Sequence, residues 1–271
     1  MKPVSGTKEW ASHSVNIQLG CFSDCKYCYA KSNAIRFGKA TPASWACPVV
    51  NQKSVNQKRS KLNGTIMFPT AHDISPDNIA DCIVVLTKLL EAGNKVLIVS
   101  KPHLECIKSL CEALIQYKDQ ILFRFTIGSY NDDILKFWEP NAPRFSERLT
   151  SLAYAHGAGF QTSVSCEPML DAHVEDVIEV VRSFVTDAIW IGKPNKLMLR
   201  ASMNSDGSGG KVVSCPGETV VEACEKLLAI YTDEFIWRLY HKYEDDPMIK
   251  WKDSIKQVVG LDRPTVKGMD Q

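Results

Sequence analysis

Six times along the chain a short apolar, β-branched run gives way to a stretch with helical periodicity, and that alternation leaves few folds open. Residues 14–19, 65–68, 95–99, 121–127, 160–165 and 188–191 read as strands. After the first, residues 20–28 form a loop and 29–37 a short helix. After the second, Ser75 offers an N-cap with Pro76 at the first helical position; Ile79, Ile83, Leu86 and Leu90 follow at helical spacing, and Gly93 stops the run. Leu104, Ile107, Leu110 and Leu114 mark the next helix; 144–156, ended by Gly157 and Gly159, and 173–184 mark two more. Repeated β-α units with right-handed crossovers predict an α/β fold whose parallel sheet curves into a partial (β/α)6 barrel. Residues 1–195 make the barrel and 196–271 a C-terminal loop and helical extension packed on it, with one long helix expected over 218–243. Two stretches break the rhythm: the polar insertion 39–63, with Lys53, Lys58, Arg59 and Lys61, and the Gly/Ser-rich loop 205–211.

Composition narrows the setting. At 45% hydrophobic and 23% charged residues over 271 positions, a sizeable core is available. A net charge of +1 gives no whole-molecule case for nucleic acid or membrane, although a local basic stripe can still bind phosphate. No apolar run approaches the ~18 residues of a membrane span, and residues 1–10 lack the apolar core of a signal peptide, so a cytoplasmic location without a membrane partner is expected. Of ten cysteines, three cluster and the rest scatter, which suggests a metal site plus buried thiols more than a disulfide framework.

The cluster is Cys21-Phe-Ser-Asp-Cys25-Lys-Tyr-Cys28, directly after the first strand. Three thiolates on one loop can converge on a metal centre and leave a fourth position open, as catalytic sites require. The alternative is a zinc-stabilised binding module in which His13 or His72 completes a closed site; Cys47 is too distant in sequence to assign.

Cys-x-x-x-Cys-x-x-Cys with an aromatic before the last cysteine, on the first loop of a β-α barrel, resembles the radical S-adenosylmethionine (SAM) superfamily. Further segments resemble its spore photoproduct lyase-like branch: Tyr27-Cys28-Tyr29, Phe68-Pro-Thr-Ala-His72-Asp73, Val99-Ser-Lys101, Phe123-Arg-Phe-Thr-Ile127, Phe137-Trp-Glu-Pro140 and residues 144–149. The resemblance spans about residues 15–171. It implies that Cys21, Cys25 and Cys28 hold a 4Fe–4S cluster, that SAM chelates the remaining iron, and that one electron cleaves SAM to a 5′-deoxyadenosyl radical which abstracts hydrogen from an organic substrate. It also implies an external electron donor such as a flavodoxin or ferredoxin. DNA or RNA repair or modification is the alternative substrate reading. The lyases' hydrogen-donor cysteine corresponds here to Thr70, which has no thiol to give.

Carried over by position, Tyr27, Tyr29, His72, Asp73 and Lys101 surround the methionyl end of SAM. Lys101 at a strand's C-terminal end suits the carboxylate and Asp73 the ammonium. A helix cap for Asp73 and a solvated lysine are the plainer alternatives. Ser129 and Asn131 are candidate ribose contacts, or a helix cap; Gly192, in Trp190-Ile-Gly-Lys193-Pro-Asn195, allows close approach of adenine, or simply a turn, with Lys193 and Asn195 toward substrate. Cys166, in Ser165-Cys-Glu167-Pro, is a candidate hydrogen donor with Glu167 meeting substrate or adenosine hydroxyls; a small buried thiol is the competing reading. Cys82, Cys106 and Cys111 are expected in the core, and Cys215 and Cys224 lack the companions of a second cluster.

Overall fold

The computed structural model describes residues 2–205, 213–215 and 218–270, and only the backbone of 213–215 and 218. Its centre is a seven-stranded sheet. Numbered along the chain, the strands are β1 (His13–Ser14), β2 (Thr65–Phe68), β3 (Lys95–Ser100), β4 (Ile121–Thr126), β5 (Gln161–Cys166), β6 (Ile189–Ile191) and β7 (Ile249–Trp251). Spatial order equals chain order and every neighbouring pair is parallel, as successive right-handed crossovers produce. The sheet stays open, with β1 and β7 as its edges.

Besides two short helical turns, Thr7–Trp10 and Gln52–Asn56, the helices are α1 (Tyr29–Arg36), α2 (Ile79–Glu91), α3 (Leu104–Leu114), α4 (Asp132–Trp138), α5 (Phe145–Gly157), α6 (Val174–Val181), α7 (Leu197–Asn204), α8 (Val220–Ile230), α9 (Asp233–Tyr243) and α10 (Asp253–Val259). Because successive strand side chains alternate faces, one set packs on helices: Ile66, Phe68, Ile98, Phe123, Phe125, Val164, Cys166 and Ile191 belong to the main core. The other set, with Met67, Leu97, Ala188 and Trp190, gathers around Trp10 on the opposite face. No helix among the described residues is long and apolar enough to cross a membrane.

Four local features differ from the sequence expectations. The first strand is split: β1 joins the sheet, while Gln18–Leu19 pairs antiparallel with Val49–Val50 of the insertion. Asn16 lies at the break, where its side chain receives the N–H groups of Thr70 and Ala71 at 2.8 Å each. Helix α2 starts at Ile79 after a turn in which the Ser75 N–H donates to Asn78 Oδ1 at 3.0 Å, so Ser75 opens the turn instead of capping the helix. The long C-terminal helix is two helices: Tyr231 is anchored by its hydroxyl to the Met169 carbonyl at 2.5 Å, and Thr232 caps α9 by accepting from the Phe235 N–H at 3.1 Å. Strand β7 extends the six expected strands by one; Ile-Lys-Trp is too short to show a period. Residues 206–211 of the expected loop, and the Cys215 side chain, fall outside the described residues.

Candidate active site

The C-terminal ends of the strands surround a cavity of about 620 Å³, where β-α folds carry their functional loops. Cys21, Cys25 and Cys28 line it from the loop after the first strand; His72 and Asp73 follow β2, Lys101 follows β3, and Ser165 and Glu167 come from β5 and its exit. The polar insertion contributes Trp45, which is buried against Cys21, Ala30 and Ala34 and whose carbonyl accepts the Cys21 N–H at 2.9 Å.

The cysteine loop is held from three sides. Cys28 caps α1 by accepting from the Lys31 N–H at 3.3 Å. The last residue of α4 takes the Lys26 N–H on the Trp138 carbonyl at 2.9 Å, and just beyond it the Asn141 side-chain amide donates to the Phe22 carbonyl at 2.9 Å. From α7, the Asn204 amide donates to the carbonyls of both Lys26 and Cys28 at 2.9 Å. Between the last two cysteines, the Tyr27 hydroxyl donates to Glu139, which forms a fully buried ion pair with Arg148 at 2.5 Å. Arg148 also donates to the carbonyls of Pro143 at 2.8 Å and Thr126 at 3.2 Å, so it ties the loop to the end of β4.

Asp73 and Lys101 sit against this loop. Their side chains are 3.5 Å apart, and the Lys101 N–H donates to Asp73 Oδ1 at 2.9 Å. The Asp73 N–H reaches the Cys21 sulfur at 3.3 Å, and the Cys21 thiol lies 3.7 Å from Asp73 Oδ2. Burial alone would raise the Asp73 carboxyl; the Lys101 charge and N–H outweigh it and hold the group below its ordinary range. Burial pushes the Cys21 thiol up to about 12, helped by Asp73, and also raises Cys25 and Cys28. The Tyr29 hydroxyl donates to the Thr70 carbonyl at the cavity wall.

The donor chemistry fits a thiolate-held iron–sulfur group. The three cysteines are free, face one cavity and lie on a loop whose backbone is fixed. Among the described residues, no group of three His, Cys, Asp or Glu side chains is already gathered around a metal-sized point. A closed zinc site fits less well. Both His72 ring nitrogens are engaged, one accepting from the Ile17 N–H at 3.2 Å and the other donating to the Asp73 carbonyl at 3.0 Å, and burial depresses its pKa. His13 bonds to the Asn63 carbonyl at 3.0 Å and does not line the cavity.

Several other expected site residues lie elsewhere. Cys166 is fully buried on the helix-facing side of β5, because the strand period turns Ser165 inward and Cys166 away. Ser129 is buried and its hydroxyl donates to Asp171; Asn131 caps α4 by accepting from the Asp133 N–H at 2.9 Å. Capping is the role the geometry shows for Asn131, and Ser129 supports it by accepting the Asn131 N–H at 2.9 Å. Gly192 does not line the cavity and packs against Lys252 and Glu167. Asn195 is at the cavity; the Lys193 N–H is bonded to the Ser254 hydroxyl at 2.9 Å. Lys53, Lys58, Arg59 and Lys61 are not at the cavity. Cys82, Cys106 and Cys111 are buried in the core as expected, and Cys224 is buried there too. Sequence reasoning missed Ser165, Arg200 and the two ends of the chain at the cavity mouth. The Val4 N–H donates to the Pro264 carbonyl at 2.8 Å and the Gly268 N–H to the Lys8 carbonyl at 2.9 Å, pairing segments no motif connects.

In fold the chain is similar to spore photoproduct lyases. A spore photoproduct lyase variant superposes with a TM-score of 0.53 at 14% identity over 92% of this chain and 78% of its own. Another, with bound AdoMet and dinucleoside spore photoproduct, gives a TM-score of 0.53 at 15% identity over 75% of this chain and 63% of its own. In sequence, the chain is 25% identical over 197 residues to the uncharacterized protein ORF301 of Acidianus two-tailed virus, covering 68% of this chain and 64% of that protein. The chain thus spans under two thirds of the length of that relative. No protein-family model matches it.

Proposed function

We propose that the protein is a radical SAM enzyme that cleaves SAM reductively and abstracts hydrogen from an organic substrate. The observation that carries this reading is one cavity faced by three loop thiols together with the Asp73–Lys101 pair. A 4Fe–4S cluster on Cys21, Cys25 and Cys28 would supply the electron that breaks the SAM carbon–sulfur bond. Asp73 and Lys101 offer one anion and one cation to the ammonium and carboxylate of an amino-acid end, with both charges already desolvated and fixed. Tyr27 and Tyr29, tied to Glu139 and Thr70, hold the loop walls still, and Trp10, Met67 and Val99 give the cavity an apolar side that limits water.

Among the described residues, the thiols lining the cavity are the three of the loop. Thr70 carries a hydroxyl that receives the Asn16 amide at 2.8 Å. A product radical is therefore not quenched by a cysteine at position 70 or 166, which argues against the lyases' own repair reaction. A nucleic-acid substrate is the second reading. It is favoured by the cations Lys2, Lys8, Arg200 and Lys267 at the cavity, and by the dinucleoside held by the structural neighbour.

The test is anaerobic purification with iron and sulfide analysis, then reduction by dithionite with SAM and chromatography for 5′-deoxyadenosine. Cluster and 5′-deoxyadenosine are expected, with both lost in Cys28→Ala. Bound zinc and intact SAM would overturn the reading.

A further inference from the structure

Behind the cavity wall lies a charged cluster that the proposed chemistry does not use. Lys252, the residue after β7, has a fully buried side chain whose ammonium stands 3.0 Å from Glu9 Oε1 and 3.3 Å from Glu167 Oε2. It also donates to the Gly6 carbonyl at 3.2 Å and lies 3.7 Å from the centroid of the Trp10 ring. The second Glu9 oxygen accepts the Asp253 N–H at 3.0 Å, which locks Glu9 against α10. Gly192 leaves the room this arrangement needs: a Cβ there would fall 2.9 Å from Lys252 Cβ and Cγ and 3.0 Å from Glu167 Cγ. Glu9 and Lys252 are sealed off, whereas the Glu167 side chain keeps 22% exposure and lines the cavity. The cluster thus presents one carboxylate, with its direction fixed from behind, to whatever fills the cavity.

An ionised carboxylate only accepts, so the ligand group that meets Glu167 must donate, as a hydroxyl does. A cationic group is a poorer match, because Lys101 and Arg200 line the same cavity.

We propose that Lys252 is a positioning residue that fixes Glu167 as the acceptor for sugar hydroxyls of the bound ligand, so that the seventh strand completes the site. The choice of SAM as probe rests on the proposed function; adenosine, which has the sugar but no methionyl end, does not require it.

Cluster-loaded protein is titrated calorimetrically with SAM and, separately, with adenosine. Lys252→Met and Glu167→Gln should each weaken both ligands about tenfold, and the double variant should bind no worse than the poorer single one, because the two act through one carboxylate. Binding of 2′,3′-dideoxyadenosine to the native protein should match that of adenosine to Glu167→Gln. Losses that multiply toward about a hundredfold, or an affinity unchanged by Glu167→Gln, would overturn the assignment. If Lys252→Met fails to fold with Glu9 stranded, the pair Glu9→Gln/Lys252→Met removes that buried charge and takes its place. Adenosine binding with coupled losses but no cluster or SAM binding would sink the radical SAM reading alone. SAM binding indifferent to both substitutions would sink the Lys252 assignment alone, and binding of neither ligand would sink both.

Discussion

Replacing Glu9 by glutamine should remove a pH dependence of stability that the structure writes into one buried carboxyl. Burial raises the Glu9 pKa; Lys252 opposes this, the Glu167 charge reinforces it, and the group moves from an ordinary 4.5 to about 7. Between those two values the folded chain holds a proton that the unfolded chain has released. Stability from this group is therefore complete below pH 4.5 and is lost as the pH rises through 7. At about 1.4 kcal/mol per pH unit, that interval amounts to about 3 kcal/mol, an upper figure for so tightly coupled a cluster. His72, whose pKa is depressed by burial, acts with the opposite sign near its own range, so the native profile alone cannot isolate Glu9. The difference between native and Glu9→Gln can. Urea unfolding at intervals from pH 4.5 to 8 should show the native advantage shrinking by up to about 3 kcal/mol and levelling off above pH 7. Glutamine turns a donor toward Lys252 at every pH, so the slope is the readout and the offset is not. A difference that is flat with pH, or that grows, would refute the buried-proton account.

Other substitutions probe the supports of the cysteine loop. Arg148→Met strands Glu139 in a dry site and should cost about 3–5 kcal/mol in urea unfolding, while adding Glu139→Gln should recover part of it. Asn204→Ala deletes both amide bonds to the Lys26 and Cys28 carbonyls; a loss of about 1–2 kcal/mol is expected, with faster alkylation of Cys28 by iodoacetamide. Gly192→Ala drives a methyl into the Lys252 stem at 2.9 Å, where neither backbone can yield, and should destabilise by about 1–3 kcal/mol without altering the cysteine loop. Equal stability of Gly192→Ala and native protein would show that Lys252 is free to move.

The strands and helices of the parallel sheet were legible because each carries its own local period, and the loop thiols because their spacing is contiguous. Cys166 shows the limit of that reading. Its position at the end of β5 was right, but only the phase of the strand decides whether Ser165 or Cys166 faces the cavity, and two adjacent small residues in a buried strand give no phase signal. Helix signals misled in the other direction: α8 and α9 share a continuous apolar pattern, and the break between them comes from Tyr231 reaching across to Met169, a contact 62 residues away in sequence. Glu139 and Arg148 stood in recognisable segments, yet their task, pinning Tyr27 between two cysteines, appears only when α4 and α5 fold back on the loop.

The Lys252 cluster was illegible for the same reason carried further. Glu9 and Lys252 are separated by nearly the whole chain, and neither sits in a motif. What joins them is topology. Because spatial strand order follows chain order, the last strand lies at the far edge of an open sheet, away from the cysteine loop after the first. That open edge must be covered by something. Here residues 4–9 and 264–270 do so, through Val4 on Pro264, Gly268 on Lys8 and Asp270 on Glu9. A charge buried at such a seam is costly unless paired, and the pairing of Lys252 with both Glu9 and Glu167 ties the seam to the cavity wall. A change at either terminus that loosens the seam should therefore be felt at Glu167 before it is felt in the core, and weaker adenosine binding at unchanged urea midpoint is the signature to look for in a chain lacking residues 264–271.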